Sequence, residues 1–309
     1  MTTFLFLLSR FTPFYLIALV GYIAGKKLNI GINSISKIYF YIFQPVVVFY
    51  GTQQISIYSG DILLPAIYFL IATILTIFFL YIGAYFFKDS TKYLFALTGS
   101  VSNVGNFGLP LAIALFGIKA AAPAIFAVVG AQIHTFTVGY FVASKGNYST
   151  KQSIIGILKL PSVYAFISGI LLQLIHIDVA KNFIYGIATQ FVSAYFITGL
   201  LIVGLGIAAT KHKLLDKKYL TLSLIAAFVV WPITMVTFIF LDKSVLHLLS
   251  EFSRKILFIH SLAPIGINII VLGSILKLHP EKGAVAVAIS TLIALIYIPI
   301  MLSLFLHYL

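Results

Sequence analysis

The stretch TGSVSNVGNFGLPLAIALFG, residues 98–117, lies where the surrounding chain calls for a membrane helix, yet its first half is the wrong chemistry for one. Ser100, Ser102, Asn103 and Asn106 stand among Gly99, Gly105 and Gly108, and Pro110 follows. In hydrocarbon an unpaired backbone N–H or C=O is expensive, so a helix broken here survives only where protein or an internal cavity covers the break. Gly105 and Gly108 let the backbone leave helical geometry. Pro110 has no N–H to donate and suits the first position of a new half-helix. Asn103 or Asn106 can cap the freed amides or face a ligand. The restarted helix then presents free N–H groups and a partial positive charge, a natural place for an anion. The competing reading is a Pro-kinked helix whose small residues pack against a neighbour.

Outward from this stretch the chain is strongly apolar. Of its 309 residues 61% are hydrophobic and 9% charged, with a mean hydropathy of +1.11, against roughly a quarter charged in soluble domains. Apolar runs near bilayer length recur from end to end, which makes this an all-α polytopic membrane protein. The opening MTTFLFLLSR lacks a basic leader and a small-residue cleavage site, so it is read as the start of the first span. Ten spans are expected, at 4–25, 35–52, 61–87, 92–117, 120–143, 159–176, 183–210, 217–241, 251–277 and 283–307. The absence of cysteine removes disulfides, thiolate metal sites and cysteine nucleophiles.

The net charge of +13 would suit nucleic acid, but its placement points elsewhere. Fourteen of the 20 Lys and Arg fall in the loops after spans 1, 3, 5, 7 and 9, the Lys211–Lys218 cluster among them. That bias puts these loops in the cytoplasm and both termini outside the cell membrane. The cluster could also hold an anionic lipid head group. Five and five spans give halves of opposite orientation, residues 1–150 and 151–309. Pro13 and Gly21 open span 1 with the spacing that Pro161 and Gly169 have in span 6. Span 9 aligns with span 4: Gly266 falls on Gly108, Pro264 on Asn106 and Asn268 on Pro110. An inverted repeat with interrupted helices at matching positions marks a substrate site near the midplane. The paired interruption favours the broken-helix reading over the kinked one.

SNVGNFGLPLAIALFG resembles the fourth-helix signature of the auxin efflux carrier family of membrane transporters, prokaryotic members included, within the bile acid and auxin carrier-like superfamily. The likeness extends to span number, topology and the start of the second half, LPSVYAFISGILL. It implies an NhaA-like fold in which broken helices 4 and 9 cross near the midplane. It further implies an efflux carrier for small organic anions, auxin-like or other carboxylates, working by an elevator movement. The substrate-binding residues carried over are Asn103, Asn106, Gly108 and Pro110 in span 4, with Pro264 and Asn268 in span 9. His260 and Ser261, ahead of Pro264, depart from the family pattern, and His260 is added as a candidate lining residue.

The seven acidic residues all lie in loops or at span ends, which weakens proton- or sodium-coupled symport and antiport. Asp61 is the one carboxylate to weigh for coupling, against a simpler role as a helix-start cap. His134, mid-span in AQIHTFTVGY, could couple protons, but a neutral His bonded to a neighbouring helix is favoured. Gln44–Pro45 in span 2 and Gln190, Ser193 and Tyr195 in span 7 could face the crossing. Trp231–Pro232 reads as a structural kink. No HExxH, P-loop or mid-span Asp pair is present, so an enzyme is not expected; a sensor or a channel ranks below a carrier. No cofactor and no metal is expected. The expected partners are a small organic anion and membrane lipid, without nucleic acid, and with a homodimer left open.

Overall fold

The computed structural model describes residues 2–53, 62–175, 177, 183–209 and 216–305. Asp61, Lys211 and Lys213, singled out above, lie outside the described residues. Thirteen helices follow one another, with no strand among the described residues. They are α1 Thr2–Lys27, α2 Ile32–Gln53, α3 Leu64–Phe86, α4 Thr91–Ser100, α5 Val104–Phe116 and α6 Ile118–Ser144. After these come α7 Thr150–Leu158, α8 Pro161–Leu174, α9 Phe183–Ala209 and α10 Lys217–Leu246. The chain closes with α11 Glu251–Ser261, α12 Asn268–Ile275 and α13 Pro280–Phe305.

The expected fourth and ninth spans are each two helices, α4 with α5 and α11 with α12. The stretch ahead of span 6, expected as loop, is the helix α7. Ser149 and Gln152 form a reciprocal capping box at its start, and it meets α8 at 48°.

Among the described residues six helices are individually long and apolar enough to cross a membrane, or seven if α7 and α8 are taken as one span. The side chains of α3 show why lipid is the right solvent. Leu64, Ile67, Ile71, Leu75 and Phe79 recur at helical spacing and are buried. The opposite face, with Leu70, Ile74, Ile77 and Phe78, is just as apolar and is exposed. A helix apolar on both faces with one face outward is stable in lipid, not in water. The protein is a multi-pass membrane protein.

The helices pack in two groups. In the first, α1 lies along α9 and α2 along α8. These pairs meet closely at the two glycines matched in sequence: a Cβ on Gly21 would lie 2.3 Å from Leu201 O, and one on Gly169 2.9 Å from Thr52 Cβ. In the second group α3 packs on α4 and α6, α5 on α6 and α11, α10 on α11 and α13, and α12 on α13; the groups meet where α9 lies on α13 and α2 on α12. The starts of α4, α10 and α13 are tied together by one ion pair and its hydrogen bonds. Asp216 caps α10 by accepting from Tyr219 N–H at 2.9 Å, and Lys282 Nζ donates to Asp216 Oδ2 and Thr91 Oγ1, both at 3.0 Å. At the other end of α10 the buried carboxylate of Asp242 accepts from Arg254 Nε at 2.8 Å and from the N–H groups of Leu248 and Leu249.

Proline shapes three helices in the same way. Wide π-turns occupy Tyr39–Phe43, Val104–Gly108 and Ala226–Val230, and each is followed at the second residue by proline: Pro45, Pro110 and Pro232. Proline lacks the N–H that would reach back one turn, and its ring crowds that carbonyl; widening the turn relieves both. The Phe228 carbonyl, four residues before Pro232, accepts instead from Tyr297 OH at 2.7 Å. Trp231–Pro232 is thus structural.

Candidate functional site between the two broken helices

The chain leaves helical geometry at Val101–Asn103 and again at Leu262–Ile267. The two breaks satisfy each other's backbone. Asn103 N–H donates to Pro264 O at 2.7 Å and Gly266 N–H to Val101 O at 2.9 Å, framing an antiparallel bridge between Ser102 and Ile265. Ile265 N–H is taken up by Ser290 Oγ on α13 at 3.1 Å.

The first break lies several residues earlier than expected. Gly105, Gly108 and Pro110 are all within α5, and Gly108 has right-handed helical angles, φ −64° and ψ −47°. The new half-helix starts after Asn103, whose carbonyl accepts from Phe107 and Gly108 N–H. Pro110 does not open that half-helix; the π-turn before it accommodates it. Gly108 is required for packing: a Cβ there would lie 2.9 Å from His260 Cδ2.

Both restarted helices begin at one small cleft. It is lined by Asn103 to Asn106 at the head of α5 and by Gly266, Ile267 and Asn268 at the head of α12. Tyr39, Gln132, Thr135 and Tyr195 complete the wall. The cleft holds about 20 Å³, enough for about one water. Three of its walls come from π-turns or their edges (Tyr39, Val104 to Asn106, Thr135), a backbone form that recurs at functional sites.

Tyr39 and Tyr195 stack with centroids 4.2 Å apart and planes at 19°. Their hydroxyls bond each other; Asn106 bonds that of Tyr39, and Asn268 and Gln132 bond that of Tyr195. Gln44 Nε2 donates to Gln132 Oε1 at 3.2 Å, extending the network. Asn106 Oδ1, Asn268 Oδ1 and Gln44 Oε1 have no partner among the described residues. The two asparagines therefore offer the tyrosines their NH₂ groups.

Two apolar cavities flank the cleft. One, of about 270 Å³, lies between α1, the lower part of α9 (Leu200, Val203, Ile207) and α13, with Asn103 and Asn106 at its end. The other, of about 120 Å³, lies between α2, α6 and the earlier part of α9 (Val192, Tyr195, Phe196), with Gly105 and Gln132 in its wall. They sit at successive heights along α9. Gly199 is at the neck, with room for a Cβ only 3.2 Å from Tyr39 and 3.5 Å from Asn106 Nδ2.

Of the residues singled out in the sequence, Asn103, Asn106 and Asn268 come together in the cleft, each nearly buried. Pro264 contributes a backbone carbonyl to the bridge, while Gly108 and Pro110 lie outside the lining. His260 is fully buried against Gly108, away from the cleft wall. His134 turns to the neighbouring helix α3, its Nε2 2.7 Å from Thr76 Oγ1. Gln190 and Ser193 are exposed. Tyr39 and Gln132 were not anticipated. Gln132 carried a signal, an amide at mid-span two residues before His134; Tyr39 is one of 18 tyrosines and carried none.

No curated protein matches this chain. Residues 196–309, covering most of α9 and all of α10 to α13, match the Sodium Bile acid symporter family. The match supports a place among the bile acid and auxin-like carriers as a broad group, without selecting the auxin efflux branch. What the second half of this chain is similar to is thus a family of secondary transporters, and not of enzymes.

Proposed function

We propose that the chain is a secondary transporter of small organic anions, auxin-like or other carboxylates, working by alternating access around the paired breaks of α4/α5 and α11/α12. The observation that carries this reading is the cleft itself. Two half-helix N-termini and two asparagine amides converge on it, and two apolar cavities adjoin it through different lining residues. N–H groups at helix starts favour negative charge, and apolar walls suit the carbon skeleton of an organic acid. The seam between the helix groups runs through the cleft. Tyr39 and Tyr195 come from the α1, α2, α8, α9 group; the asparagines come from the other. An elevator displacement of one group against the other would carry the cleft from one cavity to the other. The matched contacts of Gly21 and Gly169 support the inverted five-plus-five repeat. The bias of basic residues supports cytoplasmic odd-numbered loops, external termini and a cell-membrane location.

The test is uptake of labelled carboxylates, indole-3-acetate and succinate among them, into proteoliposomes with an imposed potential or pH gradient. Asn106→Ala and Asn268→Ala are each expected to cut uptake about tenfold, the worth of a hydrogen bond to a charged group, in a protein that still folds. Full uptake in both variants would overturn the reading.

A second reading, sodium-coupled transport, is favoured by one observation. Asn106 Oδ1 and Asn268 Oδ1, both on cleft-lining residues, are unpaired, as is the oxygen of Gln44, which bonds to the lining residue Gln132, and hard cations bind through oxygens. Replacing sodium by N-methylglucamine in the same assay separates the two: loss of uptake selects coupling, and retained uptake selects an uncoupled carrier.

A further inference from the structure

The cleft is closed by two side chains that are themselves polar. Tyr39 and Tyr195 fill it down to the volume of one water, and the asparagine and glutamine amides aim at their hydroxyls. Tyr195 is the centre of convergence, hydrogen-bonded by Tyr39, Gln132 and Asn268. A phenol oxygen offers two acceptor sites, whereas a carboxylate offers about four. Besides the phenols themselves, the amides of Asn106, Gln132 and Asn268 are three donors, within the capacity of the two phenol oxygens together and equally within that of one carboxylate. Buried donors left unpaired are costly, so an empty cleft needs something in the anion's place.

We infer that the Tyr39–Tyr195 pair is a built-in stand-in for the substrate anion: its hydroxyls occupy the cleft donors when the carrier is empty and are displaced when a carboxylate enters. The inference rests on the reading of the cleft as an anion site. It has two consequences. Binding competes with the phenols, so the apparent affinity is weaker than the donors alone would give. The empty carrier can also close and return, because its donors remain satisfied.

Tyr195→Phe keeps the stacked ring and removes the oxygen. With indole-3-acetate as probe, its Kd is expected to fall about 2- to 10-fold, the worth of the lost competing hydrogen bond. Net uptake into empty liposomes, which requires the empty carrier to return, is expected to fall several-fold. Exchange into liposomes preloaded with unlabelled indole-3-acetate should fall less than net uptake. Tyr39→Phe should move all three readouts in the same direction, and the melting temperature checks the fold of each variant. An unchanged or weaker Kd, or a parallel loss of net uptake and exchange, would overturn the inference alone. Absence of binding in wild type and both variants would remove the anion reading and this inference with it.

Discussion

Three glycines of α9 lead to three different outcomes for the same substitution, glycine to alanine, decided by what an added methyl would meet. At Gly186 nothing lies within 4 Å. Alanine there is free of contacts and gains up to about 1 kcal/mol of helix propensity. At Gly204 the methyl would stand 1.9 Å from Ala18 O and 2.5 Å from Tyr22 N, both backbone atoms of α1. Neither can rotate away. The helices must separate by about 1.5 Å to reach an ordinary contact, so the loss is at the top of the overpacking range, about 3 kcal/mol or more. Gly199 is intermediate: its methyl would lie 3.2 Å from Tyr39 Cε2, 3.4 Å from Ile267 Cδ1 and 3.5 Å from Asn106 Nδ2. Those side chains can give by a few tenths of an ångström, and the propensity gain offsets part of the strain, leaving a net loss below about 2 kcal/mol. The methyl nevertheless stands at the neck between the two cavities. Size-exclusion after graded heating reads the fold, and proteoliposome uptake reads the path. Gly186→Ala should melt no lower than wild type and transport as wild type does, Gly199→Ala should fold but transport at least several-fold more slowly, and Gly204→Ala should melt markedly lower. Wild-type melting of Gly204→Ala would refute the α1–α9 packing; wild-type transport by Gly199→Ala would refute the neck as part of the path.

Two further outcomes follow from groups outside the cleft. Partial burial of Asp216 opposes ionisation, but the Tyr219 N–H and the Lys282 ammonium outweigh it and hold its carboxyl below the ordinary value. A depressed folded-state value stabilises fully above the unfolded value, about 4, and that contribution drains away as pH falls through the folded value. Asp216→Asn keeps the cap and removes the charge. It should cost about 0.2–1 kcal/mol at pH 7 and progressively less in melts carried below pH 4; an equal cost throughout would refute the ion pair as the cause. His134→Ala should destabilise by about 0.5–1.5 kcal/mol, because it removes the hydrogen bond to Thr76 Oγ1, which keeps its bond to Ala72 O, while leaving the pH dependence of uptake unaltered. A shifted pH profile would instead make His134 part of the coupling.

The polar residues of residues 98–117 predicted a broken helix, and the helix is broken, but not at the glycines. A glycine only permits a departure from helical geometry. Where the departure falls depends on partners for the freed backbone, and those partners, Pro264 O and Gly266 N–H, are about 160 residues away in the chain. The same reason explains Pro110. Its sequence position suggested a helix start, whereas a π-turn lets a proline sit inside a helix without a break. Asn103, Asn106 and Asn268 were legible because amides are conspicuous in an apolar run. His260 was legible as polar but not as to its direction, and it packs on Gly108 rather than lining the cleft.

Composition and periodicity by themselves determined that the chain is helical and crosses a membrane several times, because solvent chemistry acts on every residue and leaves its mark along the whole sequence. They also located the two interruptions, since a polar residue in an apolar run is a local signal. Only the tertiary structure decided which polar groups meet. Tyr39 and Tyr195 are 156 positions apart, separately unremarkable among the tyrosines of a lipid-embedded protein. They become a stacked, hydrogen-bonded pair only because α2 and α9 bring them to the place where the two broken helices begin again.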